Sequence, residues 1–300
     1  MPVELRHLEH FVALAEESSF TRAAARLNLV QSALSVSIRN LEKDLEATLF
    51  DRTSRGVRLA AAGEALLPAA RRVLREVATV REEVDAVRGV VRGRLRIGIM
   101  QSLALIDAGR MFAAFHQAHP GVVIEPQPAH GGSVALAEHV RHGELDLAFA
   151  WQPEASARGL RVAELATEPF VLVVPTSRRL PRRLELADLS DEAFVEFPEG
   201  WGARTLSDQA FRNAGIQRRI VVEVADILTC AELVRAGFGV AIMPKSMIRS
   251  RGLTWRTVSG LPQWGVSLIA SSDRHLTAAA AAFVDLVCTT FDVVLATDDE

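Results

Sequence analysis

Residues 19–59 read SFTRAAARLNLVQSALSVSIRNLEKDLEATLFDRTSRGVRL, and this stretch decides the N-terminal fold. Thr21 stands where a helix N-cap belongs and opens a short Ala-rich helix over Arg22–Leu27. Asn28 suits a left-handed turn position. A second helix starts near Gln31 and turns Leu34, Ile38, Leu41 and Leu45 inward, at spacings of 4, 3 and 4. Its other face carries Gln31, Ser32, Ser35, Ser37 and Arg39. Short polar side chains near a helix N-terminus let the helix enter a major groove closely and meet base edges or phosphates. Leu49–Thr53 and Val57–Leu59 read as two strands about the turn Ser54-Arg55-Gly56. The pattern is a helix-turn-helix followed by a wing, with Arg55 at the tip, in reach of a minor groove or a phosphate.

Upstream, Leu5, Leu8, Val12 and Ala15, flanked by Phe11 and Leu14, follow the period of an amphipathic helix. Charge sharpens the reading. The whole chain carries 34 Lys and Arg against 37 Asp and Glu, a net −3, which excludes a uniformly basic nucleic-acid coat. Residues 1–93 hold 14 basic and 13 acidic residues, so net charge does not mark a DNA-binding half. Locally, Arg22, Arg26 and Arg39 stand in an acid-free run from Phe20 to Leu41, and Arg52, Arg55 and Arg58 in another. These two cationic surfaces flank an acidic patch at Glu42, Asp44 and Glu46.

Downstream, Leu66, Ala70, Val73, Val77, Val80, Val84 and Val87 recur at 4 and 3 in turn, a seam of three heptads on an otherwise charged helix. A seam that narrow predicts self-association through residues 63–89, in a rod of about 40 Å. Pro68 should kink this helix or mark its effective start. The run Gly89 to Gly93 then breaks it into a linker.

From residue 94 onward, strand-like runs alternate with helical ones. The strands are Leu95–Met100, Val122–Gln127, Leu145–Ala150, Phe170–Pro175, Ala193–Phe197, Ile220–Val224, Val240–Met243 and Val266–Ala270. Helices are expected at Leu103–His116, Val134–Arg141, Thr205–Ala214, Ile227–Ala236 and Leu276–Leu295. Such alternation predicts a parallel sheet with right-handed crossovers and a ligand beyond the strand ends. Gln101-Ser102, Gly131-Gly132-Ser133, Gly200-Trp201-Gly202 and Ala225-Asp226 are small or polar loops that start helices. A cleft lined by helix N-termini favours an anion, with Ser102 and Ser133 adding hydroxyls and Trp201 an apolar wall.

Other chemistries find less support. Gly131-Gly132-Ser133-Val134-Ala135 lacks the second glycine of a nucleophile elbow, which argues against a hydrolase built on Ser133. The pairs His7/His10, His116/His119 and His139/His142 have no third metal ligand close in sequence. Cys230 and Cys288 are too few for a disulfide framework or a thiolate zinc site. No phosphate-loop or dinucleotide-binding glycine motif occurs, so no cofactor is expected. No apolar run reaches membrane-span length and no signal-peptide core precedes the first helix, so the expected location is the cytoplasm. Tyrosine is absent, which removes phenol chemistry.

Leu5-Arg6-His7-Leu8-Glu9-His10-Phe11, Ser19-Phe20-Thr21-Arg22-Ala23-Ala24, Gln31-Ser32-Ala33-Leu34-Ser35 and Leu49-Phe50-Asp51-Arg52-Thr53 resemble the LysR-type transcriptional regulators. The resemblance continues through Gly93-Arg94-Leu95-Arg96-Ile97-Gly98, Gly143-Glu144-Leu145-Asp146 and Gly237-Phe238-Gly239-Val240-Ala241. It breaks at Ser32 and Val36, where many members carry proline and arginine.

The resemblance implies an α/β chain with three parts. They are a winged helix-turn-helix domain (3–60), a linker helix (61–93) and a two-subdomain effector domain of periplasmic-binding-protein type (94–300). Subdomain I comprises about 94–164 and 268–300, and subdomain II about 165–267. It also implies double-stranded promoter DNA and a small-molecule effector as partners, a homodimer, and a homotetramer built from two dimers. The candidate DNA contacts are Thr21, Arg22, Gln31, Ser32, Ser35, Ser37, Arg39, Arg52 and Arg55. The candidate effector residues are Ser102, Leu103, Gly132, Ser133, Trp151, Pro198, Gly200, Trp201 and Asp226. The competing reading is a solute-binding protein whose N-terminal module docks protein.

Overall fold

The computed structural model describes residues 3–53, 56–88, 90–100, 103–128, 131–151, 158–181, 183–248 and 251–296. The chain divides into two compact units, Met1–Arg88 and Gly89–Glu300. No helix among the described residues is long and apolar enough to cross a membrane.

The first unit runs α1 (Leu5–Glu17), α2 (Phe20–Arg26), α3 (Gln31–Asp44), β1 (Phe50–Thr53), β2 (Gly56–Leu59) and α4 (Ala61–Val87). Leu8, Phe11 and Leu14 of α1 meet Leu34, Ile38 and Leu41 of α3 in one apolar core. Each such side chain contributes about 1.5–3 kcal/mol on full burial. The Phe11 and Phe50 rings lie 5.3 Å apart, which ties α1 to the wing. Asn28 takes the expected left-handed turn, φ 56°. The wing is an antiparallel pair with Asp51 opposite Arg58 and Arg52 opposite Val57.

Four details differ from the sequence reading. Ser19, not Thr21, caps α2: its backbone is extended and its hydroxyl accepts the Arg22 N–H at 3.4 Å. Helix α3 ends at Asp44, so Leu45 lies past its end and is exposed, while Glu46 turns left-handed at φ 51°. Ser37 faces inward, buried, rather than outward. Pro68 lies inside α4, seven residues after its start, and does not begin it. Gly63 in the first turn of α4 is required by packing, because a Cβ there would strike the Leu49 carbonyl oxygen. The heptad seam of α4 changes role along its length. Ala70 is 1% exposed and belongs to the unit's own core, whereas Val77 is 46% exposed and Val87 90%.

The second unit is a mixed sheet with helices. Its elements are β3 (Gly93–Ile99), α5 (Ala108–Ala118), β4 (Val122–Pro128), α6 (Gly132–Arg141), β5 (Leu147–Ala150) and β6 (Leu160–Pro175). Then come β7 (Ala193–Glu196), α7 (Gly202–Asn213), β8 (Arg219–Glu223), α8 (Ile227–Arg235), β9 (Ala241–Pro244), β10 (Leu253–Thr257), β11 (Gln263–Ser271) and α9 (Ala278–Phe291). The seven-stranded sheet has the order β10-β6-β11-β5-β3-β4, with β9 also on β6; β7 and β8 form a separate parallel pair.

The all-parallel expectation is corrected here. β3 runs parallel to β4 and β5, but β11 is antiparallel to β5 and β6, and β9 and β10 are antiparallel to β6. The cause is β6. It is one strand of 16 residues, not the six expected over Phe170–Pro175. Its first part, Leu160–Pro169, pairs with β11; its last part, Phe170–Pro175, pairs with β9 and β10. Along its length β6 thus has only antiparallel neighbours. The sheet is buried on both sides: Phe112, Phe115 and Phe149 gather around Phe283 of α9 at 5.1–6.2 Å. Helix α5 starts later than expected because Asp107, φ 42°, caps it by accepting the Arg110 N–H at 3.4 Å.

Candidate nucleic-acid face and effector cleft

Helix α3 presents Gln31, Ser32, Val36 and Arg39 to solvent, with Ser35 half-buried. Val30 at its N-cap gives no side-chain hydrogen bond, so the first turn has no side-chain cap; such N–H groups suit a phosphate. Arg39 donates back to the Ser35 carbonyl at 3.2 Å and remains exposed. Ser37 instead meets His10 of α1, Oγ to Nδ1 at 2.7 Å, and so fixes how α3 sits on α1. Burial holds the His10 pKa below its ordinary value.

Arginines of α2 are bound to α1. Arg22 reaches the Glu17 carbonyl and carboxylate, and Arg26 pairs with Glu16 at 2.8 Å. Burial raises the Glu16 pKa, but hydrogen bonds from Arg71 and Arg26 outweigh it and leave the group below the usual value. Glu16 therefore links α1, α2 and α4. Thr21 is exposed one residue into α2. Glu42, which the sequence offered only as part of an acidic patch, accepts the N–H groups of Leu49 and Phe50 at 2.8 and 3.3 Å. It pins the base of the wing to α3. Arg52 lies in β1, and Arg55 falls outside the described residues.

In the second unit the structure brings Gly132, Ser133, Trp151, Gly200 and Trp201 to one place. Ser133, buried at the start of α6, accepts the Trp151 N–H at 3.0 Å. Gly132 has φ 73°, and a Cβ there would collide with the Gly200 carbonyl oxygen and lie 2.9 Å from Trp201 Cα. Only glycine lets these two loops approach so closely. The Trp201 N–H donates to the Pro198 carbonyl at 3.3 Å. Leu103 is half-buried against the core, and Ser102 lies outside the described residues.

Beside this junction a small cleft, open to solvent, is lined by Met100, Phe197, Trp201, Ala203, Ile227, Met247 and Trp264. Only Trp201 of these was a candidate. The others carry no polar signal, and they converge from the ends of β3 and β7, the segment after β9, β11 and the starts of α7 and α8, which only the fold unites. Asp226 borders the cleft through its neighbour Ile227, but its carboxylate accepts the Thr229 N–H at 2.6 Å and caps α8. Those bonds hold its pKa below the ordinary value. Helices α6 and α7 have no side-chain cap.

Behind the Phe197 wall lies a buried ionic cluster. Arg204 donates to the Phe197 carbonyl at 2.9 Å and to Asp208 and Glu223 at 3.0 Å. Arg218 bridges Glu196 and Asp208 and lies over the Phe211 ring at 4.9 Å. Burial pushes the Glu196 carboxyl up to about 7, against the pull of Arg218 and Arg204. Burial, with Glu196 and Asp226 nearby, pushes the Cys230 thiol up to about 12, which keeps it unreactive. Among the described residues, no group of three or more His, Cys, Asp or Glu side chains could hold a metal ion.

Residues 5–64 match the family described as bacterial regulatory helix-turn-helix protein, lysR family, and residues 88–292 match the LysR substrate binding domain. The HTH-type transcriptional regulator ShiR of Corynebacterium glutamicum (strain R) is 37% identical over 246 residues, 80% of this chain and 82% of that one. The HTH-type transcriptional regulator CbbR of Rhodospirillum rubrum is 32% identical over 296 residues, 94% of this chain and 95% of its own. Full-length CbnR in complex with its target DNA superposes with a TM-score of 0.71 at 26% identity, over 96% of this chain and 100% of that chain. The polar, wing-flanked helix and the cleft in a mixed sheet thus meet a match over both units, and the chain belongs to the LysR family of DNA-binding transcriptional regulators with an effector-binding domain.

Proposed function

We propose that this regulator binds promoter DNA as a dimer held by α4 and responds to a small molecule in the Trp201 cleft. The observation that carries the reading is α3: an exposed polar face with no side-chain cap at its N-terminus, beside a wing pinned by Glu42. Gln31, Ser32, Ser35 and Arg39 read the groove, Arg22, Arg52 and Arg55 hold the backbone, and Thr21 adds a hydroxyl at the start of α2. Ser37 acts from inside, through His10. Val36 cannot donate to a base or a phosphate, so readout rests on its neighbours.

The exposed half of the α4 seam, from Val73 to Val87, supports the dimer, and two such dimers form the tetramer. Two recognition units on one symmetry axis read two half-sites. Gly132, Ser133, Trp151, Pro198, Gly200 and Trp201, with Leu103, Ser102 and Asp226 at the margins, form the effector site between subdomain I (94–164, 268–300) and subdomain II (165–267). The ligand must favour one quaternary state by a few kcal/mol to act as a switch. The protein works in the cytoplasm and catalyses nothing; Ser133, the one nucleophile candidate, already accepts the Trp151 N–H. Gel retardation with DNA from upstream of the regulated gene tests the reading. Sequence-preferring retardation at moderate salt is expected, and its loss would favour a protein-docking module instead.

A further inference from the structure

Charge in the second unit is unevenly spread. Residues 94–300 hold 20 basic and 24 acidic residues, yet two runs within them hold no acid at all. Residues 169–184 carry Arg178, Arg179, Arg182 and Arg183, and residues 233–272 carry Arg235, Lys245, Arg249, Arg251 and Arg256. The fold lays these runs side by side, because the last part of β6 lies between β9 and β10. Beyond the end of β6 the chains stay joined: the Thr176 N–H and hydroxyl donate to the Gly252 carbonyl at 2.9 and 3.2 Å. Arg251 therefore stands at the same end of the sheet as Arg178 and Arg179. Helix α8 brings Arg235 there too, since a Cβ on Gly252 would lie 3.5 Å from its Cδ.

Arg179, Arg183, Arg235 and Arg251 are exposed, while Arg182 and Arg249 lie outside the described residues. The nearby acids are mostly engaged. Glu192 holds Arg178, Glu232 lies 3.5 Å from Arg235, and Glu185 and Asp188 close a capping box on backbone N–H groups; Asp191 is exposed. Arg179, Arg183 and Arg251 make no ion pair among the described residues. Charge on an edge strand guards against unwanted pairing, which accounts for Arg256 on β10, and Lys245 lies over the Trp255 ring at 4.6 Å. Neither role accounts for two turns and a helix end that bring arginine to arginine, where like charges repel. A polyanion relieves that repulsion, and the planar guanidinium fork matches phosphate. DNA is the polyanion that this family of regulators binds.

We infer that this end of the second unit is a cationic surface that contacts the phosphate backbone of DNA without reading bases, beyond the contacts of the winged unit. The inference rests on the promoter-DNA reading just given. Full-length protein is titrated with promoter duplex from 50 to 200 mM salt, as wild type, as the double variant Arg179→Gln with Arg251→Gln, and as Arg212→Gln, an exposed arginine of α7 outside the surface. Loss of two phosphate contacts should flatten the slope of log affinity against log salt by about 1.8, so the wild type's advantage over the double variant shrinks about tenfold across that range. Arg212→Gln should match the wild type. Random sequence outside the half-sites should leave the deficit of the double variant in place. Light scattering and Tm check that each variant keeps the wild-type oligomer and fold. If the double variant does not fold, Arg179→Gln alone should flatten the slope by about 0.9. An unchanged slope, a slope flattened equally by Arg212→Gln, or a smaller oligomer in the double variant overturns the inference, the last in favour of a contact between copies of this chain. Failure of the wild type to retard DNA would sink the regulator reading instead.

Discussion

Glu42 shows how much a single carboxylate can organise. Its Oε1 accepts two N–H groups at the point where the chain turns from α3 into the wing. Glu42→Ala leaves the N–H groups of the buried Leu49 and Phe50 without this acceptor, at a cost of roughly 1–3 kcal/mol. Denaturant unfolding should report that loss, together with weaker DNA retardation; unchanged stability would show that water replaces the carboxylate fully. Glu196 offers a titration. Its carboxyl is raised from the ordinary 4.5 to about 7 by burial. The folded state therefore holds this proton more tightly than the unfolded chain, and the associated stability is present below about pH 4.5 and lost as pH rises through about 7. Glu196→Gln cannot ionise. The Tm difference between wild type and variant should shift in favour of the variant from pH 5 to pH 8, and a constant difference would refute the raised value. At this scale the sequence was only partly legible. Ser37 looked like a groove contact because it is short and polar, yet it stands three residues after Leu34 and four before Leu41, on their buried face, and its His10 partner 27 positions away is a tertiary fact.

Among elements, the helices of the first unit were legible because their apolar spacing is strict and their ends carry turn residues. Errors stayed local: Ser19 and Thr21 are both good caps, and the extended backbone of Ser19 decides between them. The sheet was less legible. A 16-residue strand alternating between partly exposed and fully buried stretches carries no single period, so its first half escaped notice, as did β10. Helix α4 gives a test at this scale. Val77 sits at the centre of the exposed seam, and Val77→Lys places a charge where two such helices would meet. Light scattering should show loss of the dimer with each unit still folded; an intact oligomer would move the interface elsewhere.

At the scale of the whole molecule, a net charge of −3 and DNA binding are reconciled by locality: cationic side chains gather on α2, α3 and the wing. Binding should then be strongly salt-dependent. A dimer making about six phosphate contacts loses on the order of 10³-fold affinity between 50 and 200 mM salt. Competition titrations over that range should show it, and a flat profile would exclude phosphate-led binding. The boundary between the two units falls at Gly89, at the edge of the Gly89–Gly93 run where the helical periodicity stops. The cleft wall was not legible, because Met100, Phe197, Met247 and Trp264 are far apart in sequence and lie at or near β3, β7, β9 and β11, which only the tertiary fold brings together. Strand β6 has a kinetic corollary. The same backbone pairs with β11 at one end, with one register shift at Val266/Ser267, and with β9 and β10 at the other. Its amide protons should exchange with deuterated solvent as one cooperative block, so slow exchange at Val162 and at Val173 should rise and fall together.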